Sequence, residues 1–193
     1  MSTKKRLLTP QEKIDKIAPH FKIIMETLGL DTKSPAIKDT PRRVAKMYVN
    51  EICAGLHNAP PKITVFPNKQ YDQMLIEKNI TLTSLCEHHW MPIHGRCHIA
   101  YIPGKEVIGL SKLIRVAQHF AAKPQIQEGL TEEIAEFLKK TLETENVAVV
   151  IEAAHYCCIQ RGVKDVNSTT ITSHLGGVFK EPAVRTELFN FIK

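Results

Sequence analysis

The sequence contains no apolar run approaching the ~20 residues that a membrane-spanning helix requires. Its longest candidate, VAVVIEAA at 147–154, is broken by Glu152 and suits a buried strand. Aromatic residues are scarce, at 6% with a single tryptophan. Lysines and arginines never gather into a long basic tract. The formal charge of +6 favours an anionic partner, but scattered basic residues with few aromatics among them weaken a nucleic-acid reading. Internal repeats and low-complexity tracts are absent. No signal peptide develops either: the basic start MSTKKRLLTP meets Thr9 and Pro10 before any apolar stretch, so a cytosolic protein is expected. Five cysteines, an odd number without an export signal, argue against a disulfide framework. They leave metal binding, catalysis or burial.

What is present is ordinary for a globular chain. Hydrophobic residues make up 43% and charged residues 24% of 193, enough for one core with an added segment. Residues 9 to 28 read as a helix. Thr9 can cap it, Pro10 suits the first turn, and Glu12 completes a capping box. Ile14, Ile17, Phe21, Ile24 and Leu28 form one stripe, and Gly29 supplies the stop. A second helix is expected from Thr40, with Pro41 at its first position, to near Gly55. The proline-broken connection NAPPKITVFPN marks a division into an N-terminal helical segment, 1–65, and a catalytic domain, 66–193.

Beyond that connection, NITLTSLC and RCHIAYIP read as strands. LSKLIRVAQHFAAK reads as a helix with Ser111 at its N-cap, and a further helix is expected over 131–143. NVAVVIEAAHYCCIQ and STTITSHLGG read as two more strands, and EPAVRTELFNFI as a last helix. Strand-strand-helix-helix-strand-strand predicts an α+β protein, an antiparallel sheet with helices on one face.

The stretch TLTSLCEHHWMPIHGRCHIAYIPG concentrates two cysteines and four histidines. Cys86 and His89 have the spacing of a metal-binding pair but are too few alone. The distant AAHYCCIQRG offers more. If it is a strand, His155, Cys157 and Arg161 share one face while Cys158 points away, so Cys157 is preferred. Two thiolates and one imidazole would leave zinc's fourth position open to water, as in catalytic sites, although His88 or His155 could fill it. Cys53 and Cys97 are expected to be buried packing residues. His20, His57, His94, His98, His119 and His174 read as surface, turn or packing positions.

From TPRRVAKMYVNEI at Thr40 to the C-terminus, the sequence resembles the GTP cyclohydrolase I family. LCEHHWMPIHG, VIGLSKLIRVAQHFAAKPQIQEGLT and AAHYCCIQRGV carry the match, in order and with fitting spacing. The resemblance implies a tunnelling fold and a homodecamer of two pentamer rings with active sites between subunits. It implies hydrolytic opening of the guanine imidazole ring of GTP, release of formate and formation of dihydroneopterin triphosphate for folate synthesis. By the same resemblance, Cys86, His89 and Cys157 match zinc ligands, and His88 and His155 match catalytic histidines. Glu128, with Gln127 beside it, matches the guanine-reading carboxylate. Ser111, Lys112, Arg115 and Arg161 match ribose and triphosphate contacts, and Arg43 an arginine reaching a neighbouring subunit. Trp90 and Gly129 depart from the family pattern, and the glycine is expected to loosen the guanine pocket.

Other readings are weaker. Some tunnelling-fold enzymes acting on pterins or deazapurines lack zinc and use a nucleophilic cysteine, whereas here Cys86, His89 and Cys157 occur together. A non-catalytic zinc or nucleotide regulator needs no acid/base pair such as His88 and His155. Zinc nucleoside deaminases require His-x-Glu and Pro-Cys-x-x-Cys, which this sequence lacks.

Overall fold

Thr9 opens the first helix, α1 (Pro10–Thr27), with both halves of a capping box. Its Oγ1 accepts from the Glu12 N–H at 3.3 Å, and its own N–H donates to Glu12 Oε2 at 2.8 Å. Gly29, at φ 86°, closes the other end as the N–H groups of Gly29 and Leu30 reach back to the Glu26 and Met25 carbonyls. The computed structural model describes residues 6–193, so the basic start at 1–5 lies outside the described residues. The second helix, α2 (Thr40–Met47), continues through a π-helical turn (Tyr48–Ile52) and a 3-10 turn (Ala54–Leu56). Its N-cap is Asp39, and Thr40 is already helical. Ile14, Ala45 and Val49 form the core of this part, and Phe21 stacks on Tyr48. The end of the predicted stripe stays uncovered, since Ile24 and Leu28 are exposed.

The chain separates into two compact units, the first through His57 and the second from Asn58 to Lys193. The connection expected to contain the division therefore belongs to the second unit. There β1 (Val65–Pro67) pairs with β4 (Glu106–Ile108), and the Gly109 N–H bonds the Thr64 carbonyl.

The main sheet has the order β5-β2-β3-β6-β7. It comprises β2 (Leu75–Cys86), β3 (Pro92–Tyr101), the two-residue β5 (Pro124–Gln125), β6 (Val147–His155) and β7 (Thr170–Leu175). All neighbours are antiparallel except β2 and β5. Helices α3 (Leu110–Ala121) and α4 (Gln127–Leu142) cover one face. The expected strand and helix order is therefore present, and period-2 alternation explains the packing. Cys97, Ile99 and Tyr101 of β3, with Val147, Val149, Ile151 and Ala153 of β6, face α3 and α4. Their even-numbered neighbours Ala100 and Ala148 turn to the other face. There they meet Phe179 in a 3-10 turn (Gly177–Lys180) and Leu188 of the C-terminal helix (Pro182–Ile192). One helix thus lies opposite the other two, an addition to the predicted single helical layer. β3 and β6 approach closely at Gly95, where a Cβ would sit 2.0 Å from the Glu152 carbonyl oxygen, so only glycine fits. Among the described residues, no helix is long and apolar enough to cross a membrane.

Candidate functional site

β2 delivers Cys86, buried, to one end of the sheet. A tight turn then returns the chain to β3, closed by the Cys86 N–H on the Met91 carbonyl (2.8 Å) and the Trp90 N–H on the Cys86 carbonyl (2.9 Å). Trp90 adopts φ 54°, a left-handed conformation uncommon for so bulky a residue. His88 and His89 lie on this turn. Ile93 of β3 stands opposite His155, so the last residue of β6 is one strand away.

Past His155 the chain leaves the sheet, contrary to the predicted strand. β3 starts at Pro92, which has no N–H to donate, and the β6–β7 pairing begins only at Ala153 with Thr170. Backbone groups beyond that point need local partners, and a short helix, α5 (Tyr156–Ile159), provides them. Strand alternation therefore does not select between the two adjacent cysteines. The helical turn does, leaving Cys157 half-buried and Cys158 exposed.

The ligand atoms of Cys86, His89 and Cys157 all lie within 4.8 Å of one another. Tetrahedral zinc with Zn–S bonds near 2.3 Å holds two sulfurs about 3.8 Å apart, so the arrangement has the right size, and thiolate with imidazole is a donor set for zinc rather than for magnesium or calcium. Burial, followed by the neighbouring Cys86 thiol, pushes the Cys157 thiol well above the ordinary range. A cation bound beside Cys157 would act in the opposite direction. The Arg161 guanidinium donates to His89 Nε2 at 2.9 Å, which places a positive charge against the same group. His88 sits further out, its Nδ1 3.9 Å from Cys86 Sγ and its side chain 64% exposed.

A second set of side chains reaches this end of the sheet from α4. That helix starts at Gln127, a turn earlier than predicted, directly after β5 has paired Gln125 with Cys86. Gln127 is wholly buried. Its Nε2 donates towards the carbonyls of Ile151 (3.1 Å) and Thr170 (3.0 Å) and towards Thr172 Oγ1 (3.1 Å), and its Oε1 lies 2.8 Å from His155 Nε2. Burial lowers the His155 pKa, and the Glu128 carboxylate acts in the opposite direction. Glu128 itself is exposed in the first helical turn. Gly129 follows inside the helix, where a Cβ would meet nothing nearer than Ile126 Cγ1 at 3.6 Å.

Ser111 and Lys112 lie elsewhere, with Arg115 a turn further along α3. The N-cap of α3 is Gly109 rather than Ser111, which occupies the second helical position. The start of α3 adjoins the far end of the sheet, where the Ile108 N–H donates to Tyr101 Oη, while its C-terminal end leads into β5 beside Cys86. Ten residues separate Ser111 from Ala121, about 15 Å of helix. Ser111 and Lys112 are thus remote from the thiols of their own chain. Arg43 belongs to the first unit, where its Nη2 bonds the Ala36 carbonyl and Thr40 Oγ1.

Polar groups beneath the site bond one another. Thr131 Oγ1 donates to the Gln127 carbonyl (2.9 Å) and meets Thr172 Oγ1 at 2.7 Å, while the Gln125 amide bonds Ser84 Oγ and the Phe120 carbonyl. In the sequence, the only hint of this is Thr131 falling one helical turn after Gln127. In a further cluster, Glu132 and Glu136 are exposed and His174 is largely covered; His174 Nδ1 lies 2.8 Å from Glu132 Oε2, and Lys139 pairs with Glu136.

A family model described as GTP cyclohydrolase I matches residues 17–193. The GTP cyclohydrolase 1 of Flavobacterium johnsoniae is 50% identical over 188 residues, 96% of this chain and 84% of that protein. Those of Aeromonas salmonicida and Vibrio cholerae are 49% and 48% identical, over 96% and 97% of this chain and 87% and 88% of theirs.

Proposed function

The chain belongs to the GTP cyclohydrolase I family, and from that premise we propose that it hydrolyses the imidazole ring of GTP, releasing formate and forming 7,8-dihydroneopterin triphosphate. The observation that carries this reading is the meeting of Cys86, His89 and Cys157 with His88, His155 and Glu128 at one end of the sheet. Cys86, His89 and Cys157 would hold a zinc ion, whose Lewis acidity lets water attack near neutral pH. A thiolate-bearing centre suits a reducing compartment, which favours the cytosol.

The chain's own residues account for the remaining chemistry. Water adds at guanine C8 as N7 takes a proton, and cleavage of the C8–N9 bond opens the ring to a formamide. A second water then cleaves the C8–N7 bond to release C8 as formate. His88 is the proposed donor to N7, and His155 moves protons at the purine–ribose end. Glu128 accepts from the guanine N1–H and 2-amino groups, a donor pair that adenine lacks. His89 offers a neutral ring's single lone pair to either Arg161 or a metal ion, so metal loading frees the guanidinium for phosphate.

Ser111, Lys112 and Arg115 combine a helix N-terminus with two cations, a setting for the triphosphate. Because they stand at the wrong end of their own sheet, they serve the thiol centre of a neighbouring copy. Active sites between subunits of a decamer satisfy that geometry, with Arg43 contributing to another subunit's triphosphate. The uncovered Ile24 and Leu28 add apolar surface suited to assembly.

Incubating the zinc-loaded protein with GTP should yield formate and pterin fluorescence together, and their absence would overturn the reading. In the same assay Glu128→Gln should cost roughly 30- to 1000-fold in kcat/KM, the scale of a lost charge-assisted pair. The preference for GTP over ITP, which lacks the 2-amino group, should shrink. An unchanged preference would remove Glu128 from base recognition.

A further inference from the structure

The carboxamide of Gln127 has a chemically forced orientation. One of its terminal atoms faces two backbone carbonyls, Ile151 O and Thr170 O, which can only accept. That atom must be the nitrogen, because an oxygen there would oppose two other oxygens in a site with no water exposure. The hydroxyls agree. Thr131 gives its proton to the Gln127 carbonyl, so Thr172 must give its own to Thr131 Oγ1 and accept from Gln127 Nε2. With every donor committed, Oε1 presents only lone pairs to His155 Nε2, 2.8 Å away.

From this geometry we infer that Gln127 is a positioning residue that holds His155 in its Nε2–H tautomer, leaving Nδ1 as the ring's only atom free to exchange a proton. This deepens the proposed function and rests on its reading of His155 as a proton-transfer group. It also separates Gln127 from Glu128. The two are adjacent in sequence and opposite in exposure, and only Glu128 is free to meet a base edge. The anchors of the amide lie on β6 and β7, so the edge strand takes part in fixing the imidazole.

The test uses the zinc-loaded full chain labelled with 15N-histidine. Magic-angle-spinning 15N NMR distinguishes the two tautomers, and comparison with His155→Asn assigns the signal among nine histidines. In the wild type, His155 should carry its proton on Nε2 with an unprotonated Nδ1. Gln127→Leu should populate the other tautomer, and kcat for formate release should fall about ten- to a hundred-fold, within the span of a misplaced acid/base group. KM for GTP should stay within about two-fold, and the GTP-to-ITP preference should not move, because substrate contacts are untouched. Thr172→Val, which removes one anchor of the amide, should shift the spectrum and kcat in the same direction by less.

A wild-type His155 protonated on Nδ1 alone would overturn the inference even if Gln127→Leu failed to fold. So would a raised KM with unchanged kcat in that variant, since Gln127 would then contact substrate. If the tautomer shifts as expected while His155→Asn keeps full turnover, the hydrogen-bond assignment stands. The role of His155 in the reaction then falls.

Discussion

Cys157 and Cys158 are chemically identical neighbours, and their different surroundings give a sharp expectation for single substitutions. Cys157→Ser should lose stoichiometric zinc, as should Cys86→Ser and His89→Ala, while Cys158→Ser should keep it. Metal analysis of the four purified variants checks this, and zinc retained by Cys157→Ser but lost by Cys158→Ser would mean that α5 is turned the wrong way. The three residues could be picked out in the sequence because few side-chain types bind zinc and their spacing is restrictive. The reason for choosing Cys157 could not. It depends on β6 losing its partners at Pro92 and Thr170, and such pairings are not encoded near Cys157. Gln127 was harder still. Beside Glu128 it looks like another polar residue at a helix start, and its burial becomes visible only when β6 and β7 bring carbonyls to it.

Helices and long strands followed their local signals well. The capping box of Thr9 and Glu12 and the left-handed Gly29 place both ends of α1. The short pairings β1 with β4 and β2 with β5 carry no periodicity over two or three residues, so nothing in the sequence announced them. The early start of α4 was hidden for a related reason. Its N-cap, Ile126, makes no side-chain cap, and Gly129 interrupts the pattern that becomes clear from Leu130 and Ile134. Gly129 lies in helical backbone with room for a methyl group. Gly129→Ala should therefore raise stability by about 0.5–1 kcal/mol, mainly by restricting the unfolded chain. At fixed protein concentration this should appear as a Tm increase of about 1–4 °C. A lower Tm would show that an approach not evident in the single chain requires glycine there.

At the scale of the whole molecule, the two ends of the second unit carry different halves of the proposed chemistry. One end has the thiols, His88, His155 and Glu128, and the other has the cationic start of α3. β3 alone, ten residues long, spans about 30 Å between those ends. Two lesions on opposite ends should then complement each other. Lys112→Ala and His155→Asn, each nearly inactive alone, should recover up to about one quarter of wild-type activity when co-expressed in equal amounts, because random mixing leaves that share of sites intact in a shared-site assembly. No recovery would mean that each chain completes its own site. On the proposed shared site, the distance between the ends would also make turnover obey mass action. A correctly folded single chain would be only half a catalyst, and activity per chain would be a property of the solution as well as of the fold. Dilution below the association midpoint should extinguish formate release while each copy keeps its helices and its zinc, and restoring the concentration should restore the rate.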